Sequence, residues 1–422
     1  MNTCPHASLV DHDTYAEGIP HTLFASLRRE DPVYWHHDPQ RDEGFWCVTR
    51  QREVDLVSKN PEIFSSEASG IRYLDEDPAM AAQRRLMMVF MDPPYHRIYR
   101  KAIDQSFKPN VIEGMLGDIE LMCTRIIDKV AARGECEFVS EVAKELPLQA
   151  ICELMGVPME DRQLIAHWSD IIMAPDDPDF ATSFEELVEA GTNLTNYGRK
   201  IAQMQRERPV DNLSRRILDA RVDGKRLSED EFCAFFRMLL VGGNETVRNT
   251  TSSGMRLLME HPDQLALLVA QPELIADAIE EMLRYQCPII YFRRTAMTDT
   301  ELGGKQIKKG DKVLMWYSSA NFDETQFADP LKFDVTRPQR EKVRQGHRAF
   351  GIGEHFCIGS HLARLELNVL FRQILARLRN PRMTAPPVKI RSFFIDAIKA
   401  MPITFDPEVA AAIEKPPAGV SS

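Results

Sequence analysis

No run of about 18 or more apolar residues occurs in the 422-residue chain, so no segment of it reads as a membrane span. The start, MNTCPHASLVDHDTY, has neither a basic n-region nor an apolar h-region, so it is not a signal peptide. Positive charge is not in excess. Lys and Arg number 52 against 63 Asp and Glu, a net charge of −11, which argues against a general nucleic-acid binder. The eight cysteines (4, 47, 123, 136, 152, 233, 287 and 357) contain no C-x-x-C pair, so neither a zinc site nor a disulfide framework is expected. There is no repeat and no low-complexity block. What remains is a globular composition, 44% hydrophobic and 27% charged. A monomer in a reducing cytoplasm is expected, with most thiols buried and inert.

The pattern along the chain predicts an α+β, mostly α molecule: one domain over residues 1–422 with a small β-rich lobe near the N-terminus. Strand-like runs such as Val33-Tyr34-Trp35 and Phe45-Trp46-Cys47-Val48 place β-rich parts at about 30–70, 288–320 and 383–405. Apolar residues at helical spacing run through 111–132, 145–155, 185–206, 229–260 and 273–286, within a mainly helical stretch of about 95–286. A last helix is expected over about 358–379, stopped by Asn380-Pro381.

The segment 229–260 is unusual. Ser228-x-x-Glu231 reads as a capping box and His261-Pro262 as a stop, giving a helix of roughly 48 Å. Gly242 and Gly243 interrupt its middle, at a cost on the order of 1 kcal/mol each relative to alanine. Glu245 and Thr246 follow directly. This arrangement reads as a place where something flat approaches the helix backbone. Close helix packing is the competing explanation.

One cysteine differs from the rest. Cys357 lies in Phe350-Gly-Ile-Gly-Glu-His-Phe-Cys-Ile-Gly359, immediately before the last helix. Glycines allow tight turns there, and a helix N-terminus favours an anion, here the thiolate that ligates iron or attacks electrophiles.

Phe350-x-x-Gly353-x-x-x-Cys357-x-Gly359 resembles the haem-ligand loop of the cytochrome P-450 family. Glu281-x-x-Arg284 is similar to that family's helical Glu-x-x-Arg motif, and Gly242-Gly243-x-Glu245-Thr246 to its oxygen-activation segment. Order and separations agree from about residue 15 to 405. The resemblance implies the cytochrome P-450 fold and a haem-thiolate monooxygenase of the soluble bacterial type. It also implies haem b (iron protoporphyrin IX), O2 as co-substrate, and electrons from NAD(P)H through a separate ferredoxin and ferredoxin reductase.

On that resemblance Cys357 is the proximal thiolate and the metal ligand, with Phe350 and Gly351 in the loop that holds it. His96, Arg100, Arg294 and His355 take the haem propionates. Glu281, Arg284 and Arg337 form a buried network that supports the loop. Gly242 and Gly243 open the groove for O2. Thr246 and Glu245 are the catalytic pair, the hydroxyl holding oxygen and water and the carboxyl relaying protons. Met238, Val241, Ile289, Ile290 and Phe393 are expected to line an apolar substrate pocket. The lid-like stretches 70–91 and 163–205 show no fixed charged anchor that demands an acidic or basic substrate. A loose likeness to bacterial enzymes acting on steroids, branched lipids, terpenes and alkyl chains implies a small apolar substrate of such a class.

Between 337 and 348 the cations Arg337, Arg340, Lys342, Arg344 and Arg348 face only Glu341, which reads as a positive patch for an acidic ferredoxin. Two other functions remain open on the sequence: a peroxide-driven peroxygenase of the same fold, and a haem-binding sensor or carrier without turnover.

Overall fold

The computed structural model describes residues 9–38, 41–75, 84–222 and 224–408. Cys4, the middle of the 70–91 segment and the Pro416–Gly419 tail lie outside the described residues.

A 32-residue helix, Glu229–Glu260, is the axis of the helical half. Its start is the expected capping box: the Ser228 hydroxyl accepts from the Glu231 N–H, and the Glu231 carboxylate accepts from the Ser228 N–H at 2.7 Å. Glu229, Asp230 and Glu231 place negative charge in the first turn, where the helix dipole favours it. Residues on all its faces are buried, which is how a helix surrounded by others behaves. Helices Phe184–Glu207, Glu145–Met155 and Arg162–Met173 pack against it, as do Ile275–Tyr285 and Ser360–Arg377.

The helix read over 111–132 is two pieces, Pro109–Glu113 and Leu116–Ala131, separated around Gly114. The last helix stops at Arg377. Asn380 follows with φ 51 inside the strand Arg379–Met383, where the pairing register shifts.

The largest sheet has five strands, ordered Val33–Asp38, Glu43–Val48, Lys312–Trp316, Tyr291–Ala296, Phe64–Ser65. The first two form an antiparallel pair with Trp35 opposite Trp46, and Lys312–Trp316 joins them in parallel. The lobe is therefore built from both ends of the chain. Two features depart from the sequence reading. A helix, Gln51–Lys59, sits inside the β-rich stretch 30–70, and a strand, Glu135–Glu137, sits inside the helical stretch and pairs with Pro402–Asp406. A three-residue strand is too short to show alternation, so only its distant partner reveals it. One apolar cluster takes residues from Leu9 through Phe405. No helix among the described residues is long and apolar enough to cross a membrane.

Candidate active site

The loop 350–359 is fixed before any side chain is considered. Gly351 and Gly353 sit at φ 68 and 75, and a Cβ on Gly353 would stand 2.8 Å from the Ser58 carbonyl oxygen, so the helix Gln51–Lys59 can approach only a glycine. The Cys357 N–H donates to the Phe350 carbonyl at 2.9 Å and closes the loop. The Ser58 hydroxyl donates to the Ile352 carbonyl at 2.8 Å. Arg100 donates to the carbonyls of Glu354 and Phe356 at 3.2 and 2.6 Å. Among the described cysteines only Cys357 has an open surface, and that surface belongs to an internal cavity. Burial pushes its thiol up, and the Gly359 N–H at the start of the following helix pulls it down.

The cavity has a volume of about 380 Å³. Across it from Cys357 lies the middle of the long helix. No atom stands within 4 Å of a Cβ built on Gly242, which opens into the cavity, whereas a Cβ on Gly243 would meet Ile151 at 3.1 Å. So the two glycines divide the two explanations between them: one leaves space, the other packs. The Thr246 hydroxyl donates to the Gly242 carbonyl at 2.9 Å, and Thr246 lines the cavity.

Met238, Val241 and Ile289 line the cavity as expected from their positions, but Ile290 and Phe393 do not. Ile290 is fully buried in the core, and Phe393 stacks on Tyr291 at 5.6 Å with the ring planes 5° apart. Phe394 faces the cavity instead. Neighbouring side chains here face different ways, so a one-residue error exchanges lining for core.

These four side chains, His96, Arg100, Arg294 and His355, gather beside the loop. The His96 and His355 rings lie 4.1 Å apart, and the His96 Nδ1 atom is buried with no partner among the described residues. Burial, then Arg100, bring His96 down to about 4; burial, then Arg294, push His355 well below its usual value. Arg294 is 3% exposed, and its one hydrogen bond among the described residues goes to the Arg293 carbonyl. Two imidazoles and two guanidiniums are pressed together in this way, and of the four only Arg100 has an ion pair among the described residues, with Asp104 at 3.5 Å.

Below the loop, Arg284 holds Glu281 through two bonds of 2.7 and 2.8 Å, and Arg337 donates to the same carboxylate at 3.0 Å. Arg284 also donates to the Asn321 carbonyl, and the Asn321 side chain accepts from the Arg348 N–H. The network thus reaches the loop through Asn321. Sequence reasoning missed an adjacent cluster: Glu280 receives bonds from Arg364 at 2.6 and 2.9 Å and lies 3.0 Å from His347. Burial opposes ionisation of Glu280, but these hydrogen bonds outweigh it and bring the carboxyl down to about 2.

Glu245 does not line the cavity. It is fully buried, paired with Arg248 and bonded to Asn244 at 3.1 Å. Arg248 also pairs with Asp170 at 2.6 Å, and Asp170 with Lys144 at 2.7 Å. Burial raises the Glu245 carboxyl to about 8, with Arg248 opposing and Asp170 adding to the rise. Arg248, three residues after Glu245, was legible as a helical neighbour; Asp170, on another helix, was not.

One expectation of charge is corrected. In the patch 337–348, Arg337 and Arg348 are buried at 2% and 6% exposure, bound to Glu281 and to Asp55 at 2.6 Å, and Arg340 pairs with Asp334. Only Lys342 and Arg344 are exposed without an ion pair among the described residues. In the stretch 70–91 a charged side chain does reach the cavity. Arg72 lies 4.4 Å from the centre of the Phe394 ring, donates to the Ile172 carbonyl at 3.0 Å, and lines the cavity.

Comparison with known proteins agrees with this geometry. The cytochrome P-450 family model matches residues 269–392. The steroid C26-monooxygenase of Mycobacterium tuberculosis is 37% identical over 94% of this chain and 92% of its own length. The chain belongs to the cytochrome P-450 family. Linalool 8-monooxygenase of Pseudomonas putida is 34% identical over 95% of this chain and 99% of its own length. A Mycobacterium marinum cytochrome P-450 solved with pseudoionone superposes with a TM-score of 0.86 at 34% identity, covering 94% and 98% of the two chains.

This cytochrome P-450 is a monooxygenase, using haem, O2 and reducing equivalents from NAD(P)H delivered through partner proteins. The residues present fit the haem. A thiol opens into the cavity from one side, a glycine leaves space on the other, and four cationic or imidazole groups with an orphaned ring nitrogen await anionic substituents.

Proposed function

We propose that this cytochrome P-450 hydroxylates a C–H bond of a small apolar substrate, a terpenoid, steroid or alkyl chain, drawing its electrons from a ferredoxin. The observation that carries this reading is the opposition of Cys357 and the Gly242–Thr246 turn across one apolar cavity. Haem b bound there supplies oxygen activation. Cys357 holds its iron, and the Gly359 N–H stabilises the sulfur as an anion. His96, Arg100, Arg294 and His355 bind the propionates, which restores counter-charge to the depressed imidazoles.

Thr246 spends its hydroxyl proton on the Gly242 carbonyl, so its lone pairs face the cavity and take a proton-bearing water. Glu245 holds a proton near neutral pH and stands next to Thr246. Behind it, Arg248, Asp170 and the partly exposed Lys144 form a polar chain toward solvent. Protons reach Thr246 when Glu245 turns out of its pairing with Arg248. A chain of ionisable groups leading to the cavity is what reduction of O2 requires and what use of peroxide does not.

A single domain, supported by the apolar cluster spanning Leu9 to Phe405, in a cytoplasmic monomer completes the reading. Lys342 and Arg344 border a surface cleft of about 610 Å³ with Arg364 and His361, and this is where the ferredoxin docks. The test is spectroscopic. The reduced carbon monoxide complex is expected to show the red-shifted thiolate-type Soret band, and a panel of terpenoids, steroids and fatty acids is expected to include compounds that shift the resting enzyme to high spin. Product formed with H2O2 but not with reduced ferredoxin would overturn the electron source.

A further inference from the structure

Glu280 holds two side chains from two different elements. Its Oε1 atom accepts from the Arg364 Nε at 2.6 Å; its Oε2 atom accepts from the Arg364 Nη2 at 2.9 Å and lies 3.0 Å from the His347 Nε2. The Ala349 N–H donates to the His347 Nδ1 at 3.2 Å, so that nitrogen carries no proton and the ring is a neutral donor to the carboxylate. Burial also pushes His347 below its usual value. The charges of this cluster are therefore one carboxylate, 5% exposed, and one guanidinium.

Both partners of Glu280 flank the same ring. The Arg364 guanidinium lies over Phe350, 4.5 Å from the ring centre, and the His347 ring lies 5.9 Å away, tilted by 49°. Phe350 lines the internal cavity, and its carbonyl receives the Cys357 N–H at 2.9 Å. On its other side Arg364 borders the surface cleft of about 610 Å³, beside Lys342 and Arg344. The stack of Arg364 on Phe350 thus stands between the surface cleft and the loop that carries the thiol. Nothing in the proton chemistry at Thr246 uses it.

We infer that Arg364 is a positioning residue for electron entry: held by Glu280 over Phe350, it raises the electron affinity of the iron bound at Cys357, and the Glu280 charge tempers that effect. This deepens the proposed function and rests on its assignment of Cys357 as the iron's ligand. The step concerned is the transfer of one electron from the redox partner, which converts ferric to ferrous iron with no bond made or broken in the protein. The iron–sulfur unit becomes one charge more negative. In an interior of low dielectric a nearby cation favours that form and a nearby carboxylate disfavours it.

The experiment is a spectroelectrochemical titration of the substrate-free holoenzyme, reading the ratio of ferrous to ferric enzyme at a fixed solution potential. Glu280→Gln keeps the shape of the side chain and removes the negative charge. Its ratio is expected to rise at least about three-fold, a shift of about 28 mV for a one-electron couple. Arg364→Gln removes the positive charge, and its ratio is expected to fall by at least about the same factor. Arg364→Lys keeps the charge without the fork and is expected to stay within about two-fold of the parent. The opposite signs separate charge from structure, because a loosened loop would move all the variants the same way. Each sign decides alone where another variant fails to hold haem. Shifts of one sign, or no shift in a variant that holds haem and has lost a charge, overturn the inference. Loss of the thiolate-type carbon monoxide band in the parent would instead mean that the proposed function itself fails.

Discussion

Three glycines of one helix make a sharp test of how the cavity is built. Gly242, Gly243 and Gly254 all lie within Glu229–Glu260, so replacing each by alanine gains the same helix propensity, about 1 kcal/mol. The surroundings differ. Gly242 has nothing within 4 Å of a Cβ; Gly243 has Ile151 at 3.1 Å; Gly254 has the Met282 sulfur at 2.7 Å and the Phe371 ring at 2.9 Å. Gly254→Ala must displace a fully buried ring, and such overpacking costs about 1–3 kcal/mol, so this variant is expected to lose up to about 2 kcal/mol net. In Gly243→Ala the end of the isoleucine gives way, and gain and cost nearly cancel. Gly242→Ala keeps the propensity gain but puts a methyl group into the cavity. The assay is urea unfolding followed by circular dichroism, with azole binding followed by the Soret shift. Gly254→Ala should lower the unfolding midpoint and leave azole affinity unchanged. Gly242→Ala should hold or raise the midpoint and weaken azole binding. A Gly242→Ala protein that is destabilised yet binds azoles normally would refute the claim that this glycine faces the cavity.

Glu281→Gln leaves the Arg284 and Arg337 guanidiniums buried without their carboxylate, a loss of about 3–5 kcal/mol, and the purified variant is expected to carry little haem. Full haem occupancy, read from the ratio of Soret to protein absorbance, would show that the network does not support the loop. Burial raises the Glu366 carboxyl from 4.5 to about 8, so it is protonated in the folded protein at neutral pH. The folded value lies above the unfolded one; its stabilisation is therefore complete below pH 4.5 and is lost as pH rises toward 8. Glu366→Gln should thus gain on the parent with increasing pH, by on the order of 5 kcal/mol above pH 8. A difference in unfolding free energy that stays flat from pH 5 to 8.5 would refute it. Reversing Lys342 and Arg344 to Glu should slow reduction by a ferredoxin and flatten its dependence on salt, as stopped-flow reduction would show; unchanged rates would remove the docking cleft.

What the sequence made legible was local. The capping box, the glycine spacing around Cys357 and the i, i+3 pair Glu281–Arg284 each fix their structure within one turn of chain. What it hid depended on distant partners. Arg337 and Arg348 look like solvated charges until Glu281 and Asp55 are brought beside them. Glu245 looks like a cavity residue until Arg248 and Asp170 claim it. Ile290 and Phe393 failed for another reason: near an isolated bridge such as Ile289–Ile395, composition does not say which of two adjacent apolar residues faces the cavity.

The two sides of the cavity are built on opposite principles, and that difference has a functional consequence. On the thiol side nearly every constraint is polar and directional: Ser58 on Ile352, Arg100 on Glu354 and Phe356, Asn321 on Arg348. Such bonds fail with small displacements, so they hold a sulfur in one place. The distal side is made of Met87, Met88, Met238, Phe292 and Phe394, whose contacts are non-directional and whose methionines repack at low cost. Substitutions on that wall change which molecule fits without disturbing the sulfur. This explains how relatives named for a steroid and for linalool share 34–37% identity along nearly the whole chain.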